Sequence, residues 1–244
     1  MRILVTNDDG IASEGLRALA ASLSLRHDVW VMAPDIERSG ASHGLTLGSP
    51  CRIRRLDERS FSCSGTPSDC VALAMLGALG PRPEAVVSGI NRGPNLGTDI
   101  VYSGTCAAAR EAVLSGIPGI AVSCASWDGR FRFGAAASFL LKRLEFLVAV
   151  CPDGAFLNVN APSNDDEGLR ARWCPPCTRV YGNGLESFTA PDGSTYCFIT
   201  GGGTGVSGGA PNDHSTVTEG LVAVSPIVVH PQVPSDFIFE PEFG

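Results

Sequence analysis

The chain has 244 residues, 44% of them hydrophobic, and carries 18 Lys and Arg against 25 Asp and Glu, a formal net charge of −7. This length suits one α/β domain with an appendage, or two small domains, with enough apolar residues for a sizeable core. The acidic balance does not favour a nucleic-acid polymer as a partner, because such a polymer needs a cationic track, but it allows a small phosphorylated ligand.

Short apolar runs alternate with amphipathic segments in the first two thirds of the chain. The runs predicted as strands lie at 3–6, 29–33, 85–88, 117–123 and 155–160. Continuous apolar runs of this length are typical of strands that are buried on both faces in a parallel sheet. Their alternation with helices predicts a Rossmann-like three-layer α/β/α fold with a mostly parallel sheet.

Capping residues mark the starts of the predicted helices. Ser13 precedes one amphipathic run, and Thr66 with Asp69 three residues later forms a capping box for another. A further helix is expected to begin near Thr105, and a long one covers 135–150. Each of these helices follows a polar loop, as a doubly wound fold requires.

The composition changes after about residue 162, where Gly, Pro, Ser and Thr become frequent. Weak alternation at 178–181 and 196–200 predicts a β-hairpin or extended arm, and the glycine-rich stretch 201–205 is interpreted as a loop. A final strand is predicted at 222–229. We therefore divide the chain into a core at 1–162, an oligomerisation arm at 163–220, and a final core strand with a tail at 221–244.

Four polar loops follow the predicted strands. They are residues 7–10, 38–42, 88–91 and 95–105. Ligands of an open parallel sheet bind at the carboxyl ends of its strands, so the topology predicts that these loops converge.

Two adjacent carboxylates, Asp8 and Asp9, follow the first strand. Each would raise the pKa of the other unless a cation compensates. The Ser39 hydroxyl and the Asn91 amide complete an oxygen-only set, which favours Mg²⁺, Mn²⁺ or Ca²⁺ over zinc. The sequence thus predicts one divalent cation per subunit; the alternative is that Asp8 and Asp9 cap the first helix and fill a turn.

A phosphate cradle is predicted beside this metal site. The segment 102–105 immediately precedes a helix, whose N-terminal amides and dipole suit a phosphate, although a plain N-cap is the alternative. The residues predicted to contact phosphate or substrate are Gly40, Ser42, His43, Asn95, Ser103, Gly104 and Thr105. Metal and phosphate together indicate phosphoryl chemistry. No G-x-x-x-x-G-K-[ST] loop occurs in the chain, and no G-x-G-x-x-G follows the first strand, so the signatures of Walker-type NTPases and of dinucleotide-binding proteins are missing.

The cysteines and the apolar segments predict a soluble, cytoplasmic protein. No run approaches the roughly 20 apolar residues that span a bilayer, and no leader is apparent before the first strand. The nine cysteines are not spaced as a disulfide framework, and Cys70, Cys106 and Cys124 are expected to be buried thiols. We interpret Cys174 and Cys177 as loop cysteines, with a redox or zinc role as the alternative.

Several blocks of the sequence together resemble the SurE (survival protein) family. They are ILVTNDDGI at 3–11, APD at 33–35, RSGAS at 38–42, GTPSDCV at 65–71, VVSGINRGPNLG at 86–97 and YSGT at 102–105. The resemblance implies a metal-dependent 5′/3′-nucleotidase with a Rossmann-like core and one divalent metal on Asp8, Asp9, Ser39 and Asn91. It also implies a homodimer or homotetramer formed through the C-terminal arm, and some family members act on short polyphosphate.

Three departures from the family pattern occur outside the predicted metal site. Cys106 stands where an aliphatic residue is usual, His230 where an acid is common, and the tail after Pro231 is short. They concern the oligomer contacts and any substrate contact from a swapped tail.

The expected reaction is the hydrolysis of a nucleoside monophosphate by a metal-activated water. Asp8 or Asp9 would take the proton of the water, and His43 would protonate the leaving ribose oxygen unless it is a structural histidine. One alternative is an aspartyl-phosphate phosphatase, although such enzymes carry Asp-x-Asp rather than adjacent acids. The other is a non-catalytic nucleotide-binding regulatory module.

Overall fold

A nine-stranded and a two-stranded sheet make up the β-structure of the computed structural model, which describes residues 1–209 and 211–232. The strands are β1 (Arg2–Thr6), β2 (Asp28–Pro34), β3 (Ile53–Arg55), β4 (Ser60–Cys63), β5 (Ala85–Arg92), β6 (Gly119–Ala125), β7 (Ala155–Pro162), β8 (Ala171–Trp173), β9 (Thr178–Thr189), β10 (Thr195–Ser207) and β11 (Val222–Val228). The helices are α1 (Glu14–Leu23), α2 (Pro67–Met75), α3 (Asp99–Tyr102), α4 (Gly104–Leu114), α5 (Gly134–Ala149) and α6 (Asp213–Thr218).

The large sheet has the order β3-β4-β2-β1-β5-β6-β7-β11-β8. Its strands pair in parallel except for β3 with β4 and β7 with β11. Side chains that alternate along β1 enter two hydrophobic cores, because successive residues of a strand point to opposite faces. Ile3 packs with the apolar faces of α1 and α5, and Leu4 packs with α2 and α4. The predicted three-layer α/β/α fold is confirmed.

Local sequence signals locate several helix starts correctly. The Ser13 hydroxyl accepts a hydrogen bond from the amide of Leu16 at the start of α1. Thr66 and Asp69 form the predicted capping box of α2, with both reciprocal hydrogen bonds present. Among the described residues, no helix is long and apolar enough to cross a membrane.

Short elements escape prediction because three to six residues carry no clear periodic signal. They are β3, β4, β8, α3 and α6. The interpretation of the glycine-rich stretch 201–205 as a loop is wrong. This stretch is part of β10. Pairing with β9 holds the glycines in the strand, and the register shifts between Gly201 and Thr204.

The segment predicted as an arm contributes to both sheets. β9 and β10 form the separate two-stranded hairpin, whereas β8 pairs with β11 at the edge of the large sheet. The division of the chain at 162 and 220 stays a prediction. The predicted tail beyond residue 232 lies outside the described residues.

All nine cysteines are free thiols. Cys70, Cys106 and Cys124 are buried, as predicted. Cys174 and Cys177 pack in a small hydrophobic cluster that also contains Leu96, Val217 and Ala223. Both thiols therefore contribute to the packing beside the hairpin.

Candidate active site

A cavity of about 620 Å³ lies where the loops after β1, β2 and β5 meet the start of the hairpin. Its lining residues are Asp8, Ser39, Gly40, Asn91, Arg92, Asn95, Asp99, Tyr102, Ser103, Tyr181, Asn183 and Ile199. Six of the residues predicted from sequence are among them, from four different loops. The convergence expected at the carboxyl edge of the sheet is thus present in the structure.

Asp8 lies two residues beyond β1 and is almost completely buried, with 4% of its surface exposed. Its Oδ1 accepts from the Thr105 hydroxyl at 2.5 Å, and its Oδ2 accepts from the Thr105 amide at 3.0 Å. Burial raises the pKa of Asp8, and the hydrogen bonds from Thr105 partly offset that increase. A Cβ placed on Gly104 would lie 2.9 Å from the Asp8 Cβ, so this approach requires a glycine.

Asp9 lines a neighbouring cavity of about 390 Å³, and Arg92 lines both cavities. The Asp9 carboxylate accepts a hydrogen bond of 3.2 Å from the Arg92 amide. Burial and the negative charge of Asp8 raise the pKa of Asp9 to about 6. The two acids therefore form the repelling pair that the sequence predicts.

The turn that carries both acids is held by Asn7. Its Nδ2 donates to the Gly10 carbonyl at 3.1 Å and to the Ser13 hydroxyl at 2.7 Å. Gly10 has a φ of +94°, a conformation that glycine adopts without strain. These contacts join the end of β1 to the cap of α1.

Ser39 and Asn91 bring neutral oxygens to the cavity. The Ser39 hydroxyl donates to Glu37 Oε1 at 2.8 Å, which leaves its lone pairs for a cation. Asn91 Nδ2 donates to the Gly93 carbonyl at 2.9 Å, so Oδ1 is the atom of this amide that could bind a cation. In the described part of the chain no three His, Cys, Asp or Glu residues cluster as a metal site. Two carboxylates with neutral oxygens fit a hard divalent cation.

The N-terminus of α4 is already partly satisfied by the protein. The Ser103 hydroxyl caps the helix by accepting from the Cys106 amide at 3.1 Å, and the Thr105 amide is bonded to Asp8. Ser103 lines the cavity, but Gly104 and Thr105 pack against Asp8 instead. The amides of this turn are thus less available to a phosphate than the sequence indicates.

Ser42 and His43, like Gly104 and Thr105, are predicted substrate contacts that lie outside the residues that line the cavity. The Ser42 hydroxyl donates to the Val101 carbonyl at 2.8 Å, and His43 Nε2 contacts Glu111 Oε2 at 2.9 Å. Ser42 has a φ of +51°, and its amide bonds to the carbonyl of Tyr102. These contacts attach the loop to α3 and α4, so the substrate contact of Ser42 and the general-acid role of His43 stay predictions.

Asn95 is fixed by a buried amide network. Its amide donates to Asn160 Oδ1 at 2.9 Å, and its Nδ2 donates to the Ser123 hydroxyl at 2.8 Å. Asn158 Nδ2 in turn donates to the Asn95 carbonyl at 2.8 Å. Side chains of β6 and β7 therefore determine the position of the loop after β5.

The start of the hairpin is attached to the same loop. Asp213, which is fully buried, accepts from the Gly97 amide at 2.7 Å and from the Cys177 amide at 2.8 Å. A Cβ on Gly97 would lie 2.0 Å from the Cys177 carbonyl oxygen, which explains the glycine at this close approach. The hairpin thus begins from a fixed point beside the cavity.

A family model for the survival protein SurE matches residues 3–183. The chain belongs to the SurE family. A protein named 5′-nucleotidase SurE from Synechococcus sp. (strain RCC307) is 41% identical over 243 residues, which cover 93% of this chain and 88% of the relative. A second, from Heliobacterium modesticaldum (strain ATCC 51547 / Ice1), is 43% identical over 236 residues, with 93% and 86% covered. The resemblance predicted from the motifs is confirmed.

A solved structure supports the same assignment. The crystal structure of the SurE protein from Aquifex aeolicus aligns with a TM-score of 0.82 and 33% identity, and covers 95% of each chain. This SurE-family chain therefore shares its architecture with that structure over nearly its whole length.

Half of the residues that line the cavity of this SurE-family protein are not among the site residues predicted from sequence. They are Arg92, Asp99, Tyr102, Tyr181, Asn183 and Ile199. Tyr102 belongs to one of the family motifs and was detectable there. The last three come from the hairpin, and no local pattern indicates that this segment reaches the site.

Proposed function

We propose that this SurE-family protein is a divalent-metal-dependent phosphatase that hydrolyses nucleoside 5′-monophosphates to nucleoside and inorganic phosphate. The observation that carries the proposal is the convergence of Asp8, Ser39 and Asn91 on one cavity, with Asp9 beside them. The name 5′-nucleotidase SurE of the relatives supports the same reaction class. Nucleoside 3′-monophosphates and short polyphosphates are additional candidate substrates.

Asp8, Asp9, Ser39 and Asn91 would hold Mg²⁺ or Mn²⁺, and Ca²⁺ has the same ligand preference. When bound, such a cation supplies positive charge for the phosphate oxygens and lowers the pKa of a bound water. The protein contributes the paired carboxylates, whose raised pKa values indicate a site that favours a compensating cation.

Among the two acids, Asp9 suits the role of proton acceptor. Both oxygens of Asp8 already accept from Thr105, which fixes that carboxylate in one orientation. Asp9 accepts one long hydrogen bond from the Arg92 amide and retains a lone pair for a proton. Asp8 would therefore act as a fixed ligand, and Asp9 would take the proton of the attacking water.

Ser103, Gly40 and Arg92 are the groups that would orient the phosphate. All three line the cavity, where Arg92 is the cationic residue and Asp8 and Asp99 are the acidic ones. The Arg92 guanidinium lies 5.4 Å from the ring centre of Phe131, which limits its freedom. Holding the phosphate and the Arg92 guanidinium in place lowers the entropy that is lost when water attacks the phosphate.

The proposal is tested by measuring phosphate release from a nucleoside 5′-monophosphate. Release should require Mg²⁺ or Mn²⁺, stop with EDTA, and resume when the metal is restored. Asp8→Asn should abolish release while the protein stays folded, as judged by circular dichroism. Turnover by Asp8→Asn at saturating metal would contradict the proposed ligand.

Two outcomes would replace this mechanism. A trapped phosphorylated aspartate would show an aspartyl-phosphate route instead of direct attack by water. Nucleotide binding without any metal-dependent release would show a non-catalytic binding module.

We further propose a homodimer or homotetramer assembled through the hairpin. Three aromatic side chains, Phe188, Tyr196 and Phe198, stack along it, and each is at least half exposed. Exposed apolar patches of this kind favour association with another protein surface. A cytoplasmic location is also proposed, since the free cysteines suit a reducing compartment.

A further inference from the structure

We propose that the first part of the hairpin forms the nucleoside-binding wall of the active site, where Tyr102 and Ile199 contact the base. The inference rests on the proposed function and deepens it, because it names the part of the protein that recognises the leaving group. The hairpin would therefore select nucleotides over other phosphate esters.

The cavity is large enough to hold a small organic molecule in addition to a phosphate. Its volume of about 620 Å³ falls within the roughly 300–1,000 Å³ of sites that enclose a small organic molecule. The proposed metal and phosphate groups use only part of the lining. The lining also includes Tyr102 at the end of α3 and Tyr181, Asn183 and Ile199 of the hairpin.

The side chains of Tyr102 and of the hairpin give this part of the lining both apolar and polar groups. Tyr102 is 57% exposed and Ile199 is 83% exposed, so both present apolar surface to the cavity. The rings of Tyr102 and Tyr181 meet edge to face with their centres 6.4 Å apart. Asn183 offers both a donor and an acceptor. An aromatic base with polar edges matches this combination better than a small alkyl group does.

Hydrogen bonds and an ion pair hold the start of β9 beside the cavity. The Tyr181 hydroxyl donates to Asp99 Oδ1, and Arg179 Nε lies 3.3 Å from Asp99 Oδ2. The Thr98 hydroxyl donates to the Arg179 carbonyl at 3.2 Å and accepts from its amide at 3.0 Å. These contacts attach β9 to the segment that leads into Ser103.

Tyr102 and Ser103 are neighbours in sequence, which places the proposed base-binding wall beside the proposed phosphate site. Tyr102 directly precedes Ser103, which lines the cavity and caps α4. A phosphate held near Ser103 would place its ester substituent next to the Tyr102 ring. The base is the part of a nucleotide beyond the ribose, so it is the group that would reach Ile199 on the same cavity lining.

The experiment compares a nucleoside 5′-monophosphate with ribose 5-phosphate, which lacks the base. Tyr102→Ala combined with Ile199→Ser should lower kcat/KM for the nucleotide by about tenfold, the loss expected when a base loses its stacking partner. The kcat/KM for ribose 5-phosphate should fall much less, because this substrate has no base to lose and keeps its phosphate contacts. Leu185→Ser is the matched control, because Leu185 faces Ile199 across the hairpin, is 70% exposed, and is not part of the cavity lining.

Equal losses for both substrates, or no loss for either, would overturn the inference. A similar loss in Leu185→Ser would also overturn it, because it would show an effect of assembly rather than of base contact. If the unaltered protein releases no phosphate from either substrate, the proposed function fails. Calorimetric binding of the nucleotide then tests the wall by itself: weaker binding by the double variant supports it, and equal binding refutes it.

Discussion

The carboxylate of Asp8 is held by Thr105, whose hydroxyl donates to Oδ1 at 2.5 Å and whose amide donates to Oδ2 at 3.0 Å. The two residues are 97 positions apart in sequence. An acid at the end of β1 thus occupies the positive end of the α4 dipole, where a carboxylate is stabilised. Thr105 therefore positions the proposed metal ligand, and its predicted contact with phosphate stays a prediction.

Removal of the Thr105 hydroxyl is expected to weaken metal binding. Thr105→Val keeps the shape of the side chain and the backbone hydrogen bond but loses the hydrogen bond to Oδ1. Loss of such a supporting contact costs roughly 10- to 100-fold in metal affinity or activity. The measurement is phosphate release as a function of Mn²⁺ concentration.

Thr105→Ser is the control for this variant, since it retains the hydroxyl. It should restore most of the metal affinity. An unchanged dependence on Mn²⁺ in Thr105→Val would show that the Oδ1 contact does not orient Asp8.

A methyl group at position 104 should also displace Asp8. The added Cβ of Gly104→Ala would lie 2.9 Å from the Asp8 Cβ and 3.0 Å from Oδ2. Inserting an extra carbon at a packed contact costs about 1–3 kcal/mol in stability. We expect a fall in both activity and Tm, measured by phosphate release and thermal denaturation.

Gly209→Ala is the matched substitution, because a Cβ there meets no atom within 4 Å. It should leave activity and Tm close to those of the unaltered protein. If Gly104→Ala behaved like Gly209→Ala, the close approach to Asp8 would not matter for function.

Asp69 should contribute to stability in a pH-dependent way. Burial pushes the pKa of Asp69 up, but hydrogen bonds from Thr46 and Thr66 outweigh it and hold that pKa below its ordinary value. A carboxylate with a depressed pKa stabilises the fold above its unfolded pKa of about 4, and this contribution is lost as the pH falls through the lower folded value. Asp69→Asn should therefore cost about 1–3 kcal/mol at neutral pH.

The test is urea unfolding of both proteins between pH 7 and pH 3. The difference in the free energy of unfolding should be largest at neutral pH and should shrink in acid. A difference that is independent of pH would show that the charge of Asp69 does not supply the stabilisation.

A charge in the aromatic cluster of the hairpin should reduce association. Phe198 is 56% exposed and stacks on Phe188 with ring centres 6.1 Å apart. Phe198→Asp should lower the mass measured by light scattering, because a buried unpaired charge opposes the interface. Leu76→Asp, at an 84% exposed site after α2, is the control. An unchanged mass in Phe198→Asp would place the interface elsewhere.

Much of the core and of the metal site could be predicted because their signals are local. The strand ends carry the acids, and the caps at Ser13 and Thr66 depend on residues two or three positions away. Parallel topology then brings Asp8, Ser39 and Asn91 to one edge. These predictions need only the order of the elements along the chain.

The remainder of the site depends on contacts between distant segments. Tyr181 bonds to Asp99 across 82 positions, and Asn95 bonds to Asn160 across 65. His43 shows the opposite limitation: it is close to Ser39 in sequence, yet it pairs with Glu111 of α4. Nearness along the chain is therefore a poor guide wherever a loop turns sharply.

The attachment of the hairpin beside Gly97 has a consequence for the whole molecule. β9 has 12 residues and so extends about 40 Å from its fixed end, at about 3.3 Å per residue. One end of this ribbon borders the catalytic cavity, and the other reaches the turn between β9 and β10. The proposed base-binding wall and the proposed interface between subunits therefore share the same two strands, so a substitution that displaces the hairpin is expected to change both substrate choice and assembly.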